Sequence, residues 1–404
     1  MNSNSIKIAL LSYYHTSNIY NDIGNGYIRA FKNNGVEFLD YKKLYYSLGK
    51  TACEKFIFNF IAENKIDALI CMFGSDDFYF DLDFFHNLRQ KIFTAMMVGD
   101  AEQFFHIKDI YYAQCVDLMI DYSVYSQYRF KLYGIDAMCF LSSFDKGIYK
   151  KISGLKPAID VSFIGDMSSP RFGREEKINF LKKNNIDIKI FGRGSAAGQI
   201  KIESMVEVFN SSKINLNFTG INKKNSFCRP KNIDYQMKQI KGRIAEIALC
   251  GGFVLTEYAP GIEKYFEPEN EIEVFYTEDE MLEKIKYFLA HGAERQKIAD
   301  RAYNRALRDY ETGCAIPRLL TAIGDKYADN IKKKRDIFID DIFIKFYTAY
   351  RIKIIIEFIF QRKFAFAIEE MKIIFKYRKI NILRALKYIY RTFVNIFSSN
   401  LNNP

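Results

Sequence analysis

Short apolar runs alternate with longer amphipathic stretches over the first 150 residues. Ile6–Leu11, Val36–Asp40, Asp67–Met72, Ile92–Val98, Leu118–Ile120 and Ala137–Leu141 have the length and composition of strands. Helix-length segments such as Gly26–Asn33 and Cys53–Glu63 lie between them. Apolar strands joined by crossover helices predict a parallel sheet covered on both faces. The alternation restarts after KPAID, with strands expected at Val161–Ile164, Asp187–Phe191, Ile214–Asn217, Phe253–Thr256 and Glu271–Phe275. Gly251-Gly252 stops the helix that ends near Cys250. The pattern therefore predicts an α/β protein with two Rossmann-like domains facing a cleft, at residues 1–155 and 156–330. A helical extension follows at 331–404. In such folds ligands bind at the carboxyl ends of the strands, between the domains.

Charge refines this division. The 404 residues carry 59 Lys and Arg against 48 Asp and Glu, a net of +11. Sixteen of those cations and only six of the carboxylates fall in residues 331–404, so the first 330 residues are nearly neutral. A general nucleic-acid binder carries its basic surface on the folded body, and that class is disfavoured. A chain that is 49% hydrophobic is not a disordered one. The seven cysteines form no CxxC pair, and several sit in apolar runs such as DALICMF. Buried reduced thiols are expected, rather than a disulfide framework or a zinc site. No cleavable leader and no run of 18 apolar residues are evident, so the expected location is cytoplasmic.

Candidate chemistry concentrates in the second half. Lys241-Gly242-Arg243 opens a helix, where unpaired N–H groups and two cations suit a diphosphate. Glu246, three residues after Arg243, shares its helix face, and a carboxylate accepts from two neighbouring ribose hydroxyls. The competing explanation is an i,i+3 surface pair. In FGRGS, Gly192 and Gly194 let the backbone approach a ligand, with Arg193 placed for a phosphate or base. The competing explanation is a tight strand-to-helix turn with an exposed Arg. The spacing is GxGxxxG, so a dinucleotide fingerprint is not present.

The stretch Lys241–Leu320 resembles the C-terminal half of GT-B glycosyltransferases, in particular the family grouped with the spore-maturation protein CgeB. The pieces that carry the likeness are GRIAEIALCGGFVLTEY, GIEKYFEPENEIEVFY, YFLAHGAERQKIADRA, and DYET with Arg318. Looser matches upstream are VSFIGDM with Arg171 and Arg174, FGRGS, SSKINLNFTG, MMVGDAEQF, and the run from DLMIDYS to YGIDAMCFLSSFD. Together they span roughly residues 90–325. The resemblance implies a nucleotide-sugar donor on the second domain and an acceptor side on the first. Glu246 would take the ribose and Arg243 the diphosphate. Gly165, Arg171, Phe191, Gly192, Arg193, Asn217, Phe218 and Thr219 would border the donor. Two positions depart from the pattern. Lys238 stands where many retaining relatives have a second Glu, and Glu311 stands where the family often has His.

In the first domain the candidates are Asp22, Gly24-Asn25-Gly26, His15, Asp100 and His106. Inverting transfer needs a base for the acceptor hydroxyl, and Asp100 or His106 would supply it. Otherwise Asp100 caps the helix after it and His106 packs at an edge. No metal or other cofactor is expected, because Asp76-Asp77 and the Asp81/Asp83 pair are better explained as helix N-terminal turns. The sequence thus points to transfer of a sugar from a nucleotide donor to a cell-surface glycan, lipid-linked or protein acceptor. A sugar-nucleotide epimerase and a non-catalytic sugar or nucleotide binder are the alternatives.

In the extension, Leu383, Leu386, Tyr390, Phe393 and Phe397 follow 3-4-3-4 spacing, with Arg384, Lys387 and Arg391 on an adjacent face. Such a helix lies on an anionic membrane surface at the inner face of the bilayer, or caps the second domain or a second copy.

Overall fold

The computed structural model describes residues 6–14, 21–167, 173–221, 238–332 and 335–401, with backbone alone at 21–24 and 395–401. His15 and Arg171 lie outside these residues, as do the side chain of Asp22 and the surroundings of Gly24.

The first sheet contains β1 (Ile8–Ser12), β2 (Glu37–Asp40), β3 (Ala68–Met72), β4 (Phe93–Met97), β5 (Leu118–Asp121) and β6 (Asp136–Cys139). The second contains β7 (Ile159–Ile164), β8 (Ile188–Phe191), β9 (Ser212–Asn217), β10 (Val254–Glu257) and β11 (Glu273–Phe275). Their orders are β2-β1-β3-β4-β5-β6 and β11-β10-β9-β7-β8. Every pairing is parallel. All eleven expected strands are present, each within a few residues of its apolar run. β1 and β5 are buried along their whole length, as helices on both faces require.

The carboxyl ends of the two sheets meet. Tyr265, beyond β10, donates its hydroxyl to the carbonyl of Tyr122, the residue after β5. Gln239, in the segment before the helix Arg243–Leu249, reaches Asp100 beyond β4. Phe144 bridges to Glu311 along the backbone.

Two features correct the sequence reading. The helix Thr312–Ala328, expected with the second domain, buries Ile316, Leu319 and Ile323 against Ile8, Leu10, Phe31 and Ile70 of the first. The extension also packs on the first domain, not the second. Its helices Asp341–Phe360, Phe364–Tyr377 and Ile382–Leu401 join Phe343, Tyr347, Tyr350, Ile354, Ala385 and Tyr388 to a core with Tyr41, Tyr45, Phe78 and Phe80. An amphipathic helix encodes how wide its apolar face is, not which sheet will cover it. Cys53, Cys71, Cys115 and Cys250 are buried as expected, whereas Cys314 is exposed.

Candidate active site

The loop after β4 places Asp100 at the rim of the cleft. Its backbone is left-handed (φ 59°), a conformation that Asp and Asn tolerate better than most residues. Asp100 occupies the cap position of the short helix Ala101–Phe104, yet its side chain makes no cap bond. Instead Oδ1 accepts from the Tyr122 hydroxyl at 3.0 Å and from Gln239 Nε2 at 2.9 Å. The same amide also donates to Glu102 Oε2 at 2.8 Å, and Lys241 Nζ stands 4.0 Å from Asp100. Groups from both domains thus converge on one carboxylate that keeps 39% of its side chain exposed.

Beneath Asp100 the chain winds one π-helical turn, Phe105–Asp109. Lys108 from this turn donates to the carbonyls of Gly74 and Ser75, tying the loop after β3 to the site. Burial pushes the carboxyl of Asp109 up to about 7, against the weaker opposing pull of Lys108. Burial likewise raises the carboxyls of Glu102 and Asp121. Burial thus works against ionisation of all three acids beneath a partly exposed Asp100. His106 is placed differently. Its Nε2 lies 2.6 Å from Arg129 Nη2, and burial, then Arg129, lower its pKa. A neutral imidazole whose Nε2 is occupied by a guanidinium is poorly set to take another proton.

On the second domain, Arg243 and Glu246 form an ion pair at 2.6 Å on the helix Arg243–Leu249. The pair is not a surface one, since only 9% of the Glu246 side chain is exposed. Arg243 also lies on the Phe209 ring and against Met205. The Glu246 charge acts on the hydroxyls of Tyr149, in the connection between the sheets, and of Tyr27 on the first domain. Both phenols are raised chiefly by burial. Glu246 thus sits where the two domains and their connection meet.

The FGRGS turn has an internal explanation. Gly192 adopts φ 118°, and a Cβ there would lie 2.1 Å from the carbonyl oxygen of Gly165. Gly165 N donates to Phe191 O, so the loops after β7 and β8 are zipped together. The glycine is needed for this loop contact. Arg193 is exposed and 3.7 Å from Asp166. Gly192→Ala should destabilise the protein by about 2–3 kcal/mol through backbone strain and collision. A lowered denaturation midpoint checks this.

Asn217, Phe218 and Thr219 are buried rather than lining the cleft. Asn217 donates to Thr256, and Phe218 is core. Thr219 N and Gly220 N donate to Glu257 Oε2. The other oxygen of Glu257 lies 3.4 Å from both Lys177 and Lys238. This arrangement holds Glu257 below its usual pKa, since the two ammonium groups and the backbone N–H groups outweigh burial, the largest single influence. Sequence reading passed over Lys177 and Glu257. It noted Lys238 only as a departure, and the partner 19 residues away leaves no local signal.

Asp81 caps the helix Leu82–Lys91. Asp76 and Asp77 start no helix. Asp76 is held by Arg384 and Arg391 of the extension, and Asp77 by Tyr41 and Tyr350. Glu311 caps Thr312–Ala328 through Gly313 N.

Two parallel-sheet Rossmann-like domains whose strand ends face each other match the fold of the GT-B glycosyltransferases. Residues 174–320 match a family model described as "Glycosyl transferase-like". Among solved structures, sucrose-phosphate synthase of Thermosynechococcus elongatus is similar at TM-score 0.53 and 10% identity, over 80% of this chain and 98% of that one. A glycosyltransferase of Rickettsia africae is similar at TM-score 0.53 and 10% identity, over 81% and 100%. HepE of Anabaena, in complex with UDP and glucose, gives TM-score 0.51 and 13% identity, over 80% and 100%. No curated protein matches the chain.

Proposed function

We propose that the protein transfers a sugar from a nucleotide-sugar donor to a cell-surface glycan, lipid-linked or protein acceptor, working in the cytoplasm. The observation that carries this reading is the convergence at Asp100 of side chains from both carboxyl edges, on a GT-B fold whose second half matches a glycosyltransferase-like model. The donor lies toward the second domain. Glu246 accepts from the ribose hydroxyls once Arg243 turns toward the diphosphate. Asp100 takes the acceptor hydroxyl proton as that oxygen bonds to the anomeric carbon. The bond to the diphosphate breaks, and the nucleoside diphosphate leaves. Inversion at the anomeric carbon follows from this step, and neither a metal nor another cofactor takes part.

Calorimetry with uridine, guanosine and thymidine diphosphates tests donor binding, and a folded protein that binds none of them overturns the proposal. Glu246→Ala should weaken the nucleotide that binds by about 1–3 kcal/mol. An unchanged affinity would remove Glu246 from the site. NMR of the product gives the anomeric configuration. An epimerised donor formed without acceptor would identify an epimerase instead.

A further inference from the structure

The extension is joined to the first domain by one side only. In the helix Ile382–Leu401, Ala385, Tyr388 and Thr392 are buried. Leu383, Leu386 and Tyr390, on the opposite face, are 82%, 56% and 70% exposed. Val394 continues this outer stripe. The helix Phe364–Tyr377 repeats the design, with Phe364, Ile368 and Phe375 exposed at helical spacing and Ala367 and Glu370 buried. Phe360 at the end of the helix Asp341–Phe360 is exposed and rests its ring on Phe393. Two apolar stripes are thus turned away from the core that binds their helices.

Charge is sorted across the same helices. Past Asp341, which is exposed and pairs with Lys379 at the start of the first helix, the chain has twelve Lys and Arg and only three carboxylates. All three carboxylates face the first domain or an adjacent cation. Glu357 accepts from Tyr46 and pairs with Lys353, Glu369 accepts from Lys50 N and Thr51, and Glu370 pairs with Arg351. Lys372 and Lys376 flank one stripe and Lys387 and Arg391 the other, all four exposed. No helix among the described residues is long and apolar enough to cross a membrane.

We propose that these two stripes and their flanking cations dock the protein on the surface of an anionic bilayer. A bilayer of anionic headgroups over acyl chains matches stripes that are apolar along their ridges, cationic at their margins and, on the helices Phe364–Tyr377 and Ile382–Leu401 that carry them, without outward carboxylates. A protein partner or second copy would bury the ridge equally well, but the one-sided charge would remain uncompensated in a symmetric pair. The proposal stands apart from the sugar-transfer reading, since neither stripe includes a residue of the candidate site.

The test is co-sedimentation of the full chain with vesicles of phosphatidylcholine alone and with about 30% phosphatidylglycerol added. Binding to the anionic vesicles only, weakened at about 0.5 M salt, is expected. Leu386→Asp with Tyr390→Asp should raise the lipid needed for half-binding by about tenfold or more, with an unchanged melting midpoint. Lys372→Glu with Lys376→Glu should act in the same direction while leaving the apolar ridge intact. Absence of binding, equal binding to both vesicles, indifference to both variants, or a dimer in sedimentation that the aspartates dissociate would each overturn the proposal.

Discussion

Arg351→Met should lower the stability of the first domain by about 3–5 kcal/mol, the largest effect expected of any single change outside the aliphatic core. Arg351 and Glu370 are completely buried and lie 3.1 Å apart. Arg351 Nη1 also donates to the Tyr45 hydroxyl and the Tyr79 carbonyl, and the guanidinium lies 4.6 Å from the centre of the Tyr347 ring. Removing the cation leaves Glu370 with its charge in a dry interior and only Tyr45 as a donor. Desolvation in such a setting outweighs what one neutral hydrogen bond returns. A second substitution separates this from simple loss of packing. In Arg351→Met combined with Glu370→Leu neither charge remains, and much of the stability should return. Thermal denaturation of the single and double variants measures it. Equal loss in both would show that packing, not the unpaired carboxylate, sets the cost. Because the same extension holds Asp76 and Asp77 beside the loop after β3, Arg351→Met should also raise protease sensitivity around residues 74–80.

The second large effect concerns Asp100→Asn, which should reduce turnover by about 10²–10⁴-fold while leaving nucleotide affinity unchanged. Asn is the appropriate replacement. It accepts the left-handed backbone and can keep its oxygen toward Gln239 and Tyr122, so the cleft geometry survives. Only the ability to hold a proton is lost. Calorimetry with the bound nucleotide and a comparison of kcat with KM distinguish the outcomes. A fall in affinity with little change in kcat would make Asp100 a positioning residue. Normal turnover would move the base elsewhere or remove the need for one, as in a retaining reaction.

The strands were legible because a parallel sheet covered on both faces demands unbroken apolar runs, and runs such as ALLS in β1 or DALICM before and within β3 have few other uses. Asp100 stood out as a candidate for a similar reason, since it lies just beyond such a run. Glu246 and Arg243 stood out through the motif around them and their i,i+3 spacing, and the structure shows the pair formed, with Glu246 buried and Arg243 partly exposed. The glycines of FGRGS were seen, but their reason was not. Gly192 answers to the Gly165 carbonyl, 27 residues away in sequence.

By itself the sequence determined two α/β units, a neutral body and a basic helical end, because strand burial, helix period and charge are properties of short windows. Tertiary structure alone decided which surfaces those windows meet. It sent Thr312–Ala328 and the extension back to the first sheet. It brought Gln239 to Asp100 across 139 residues and set Lys177 and Lys238 on Glu257. It also turned Glu369 and Glu370 of the last helices toward the first domain. Those pairings depend on which apolar faces find each other first in three dimensions, and no local pattern carries that information.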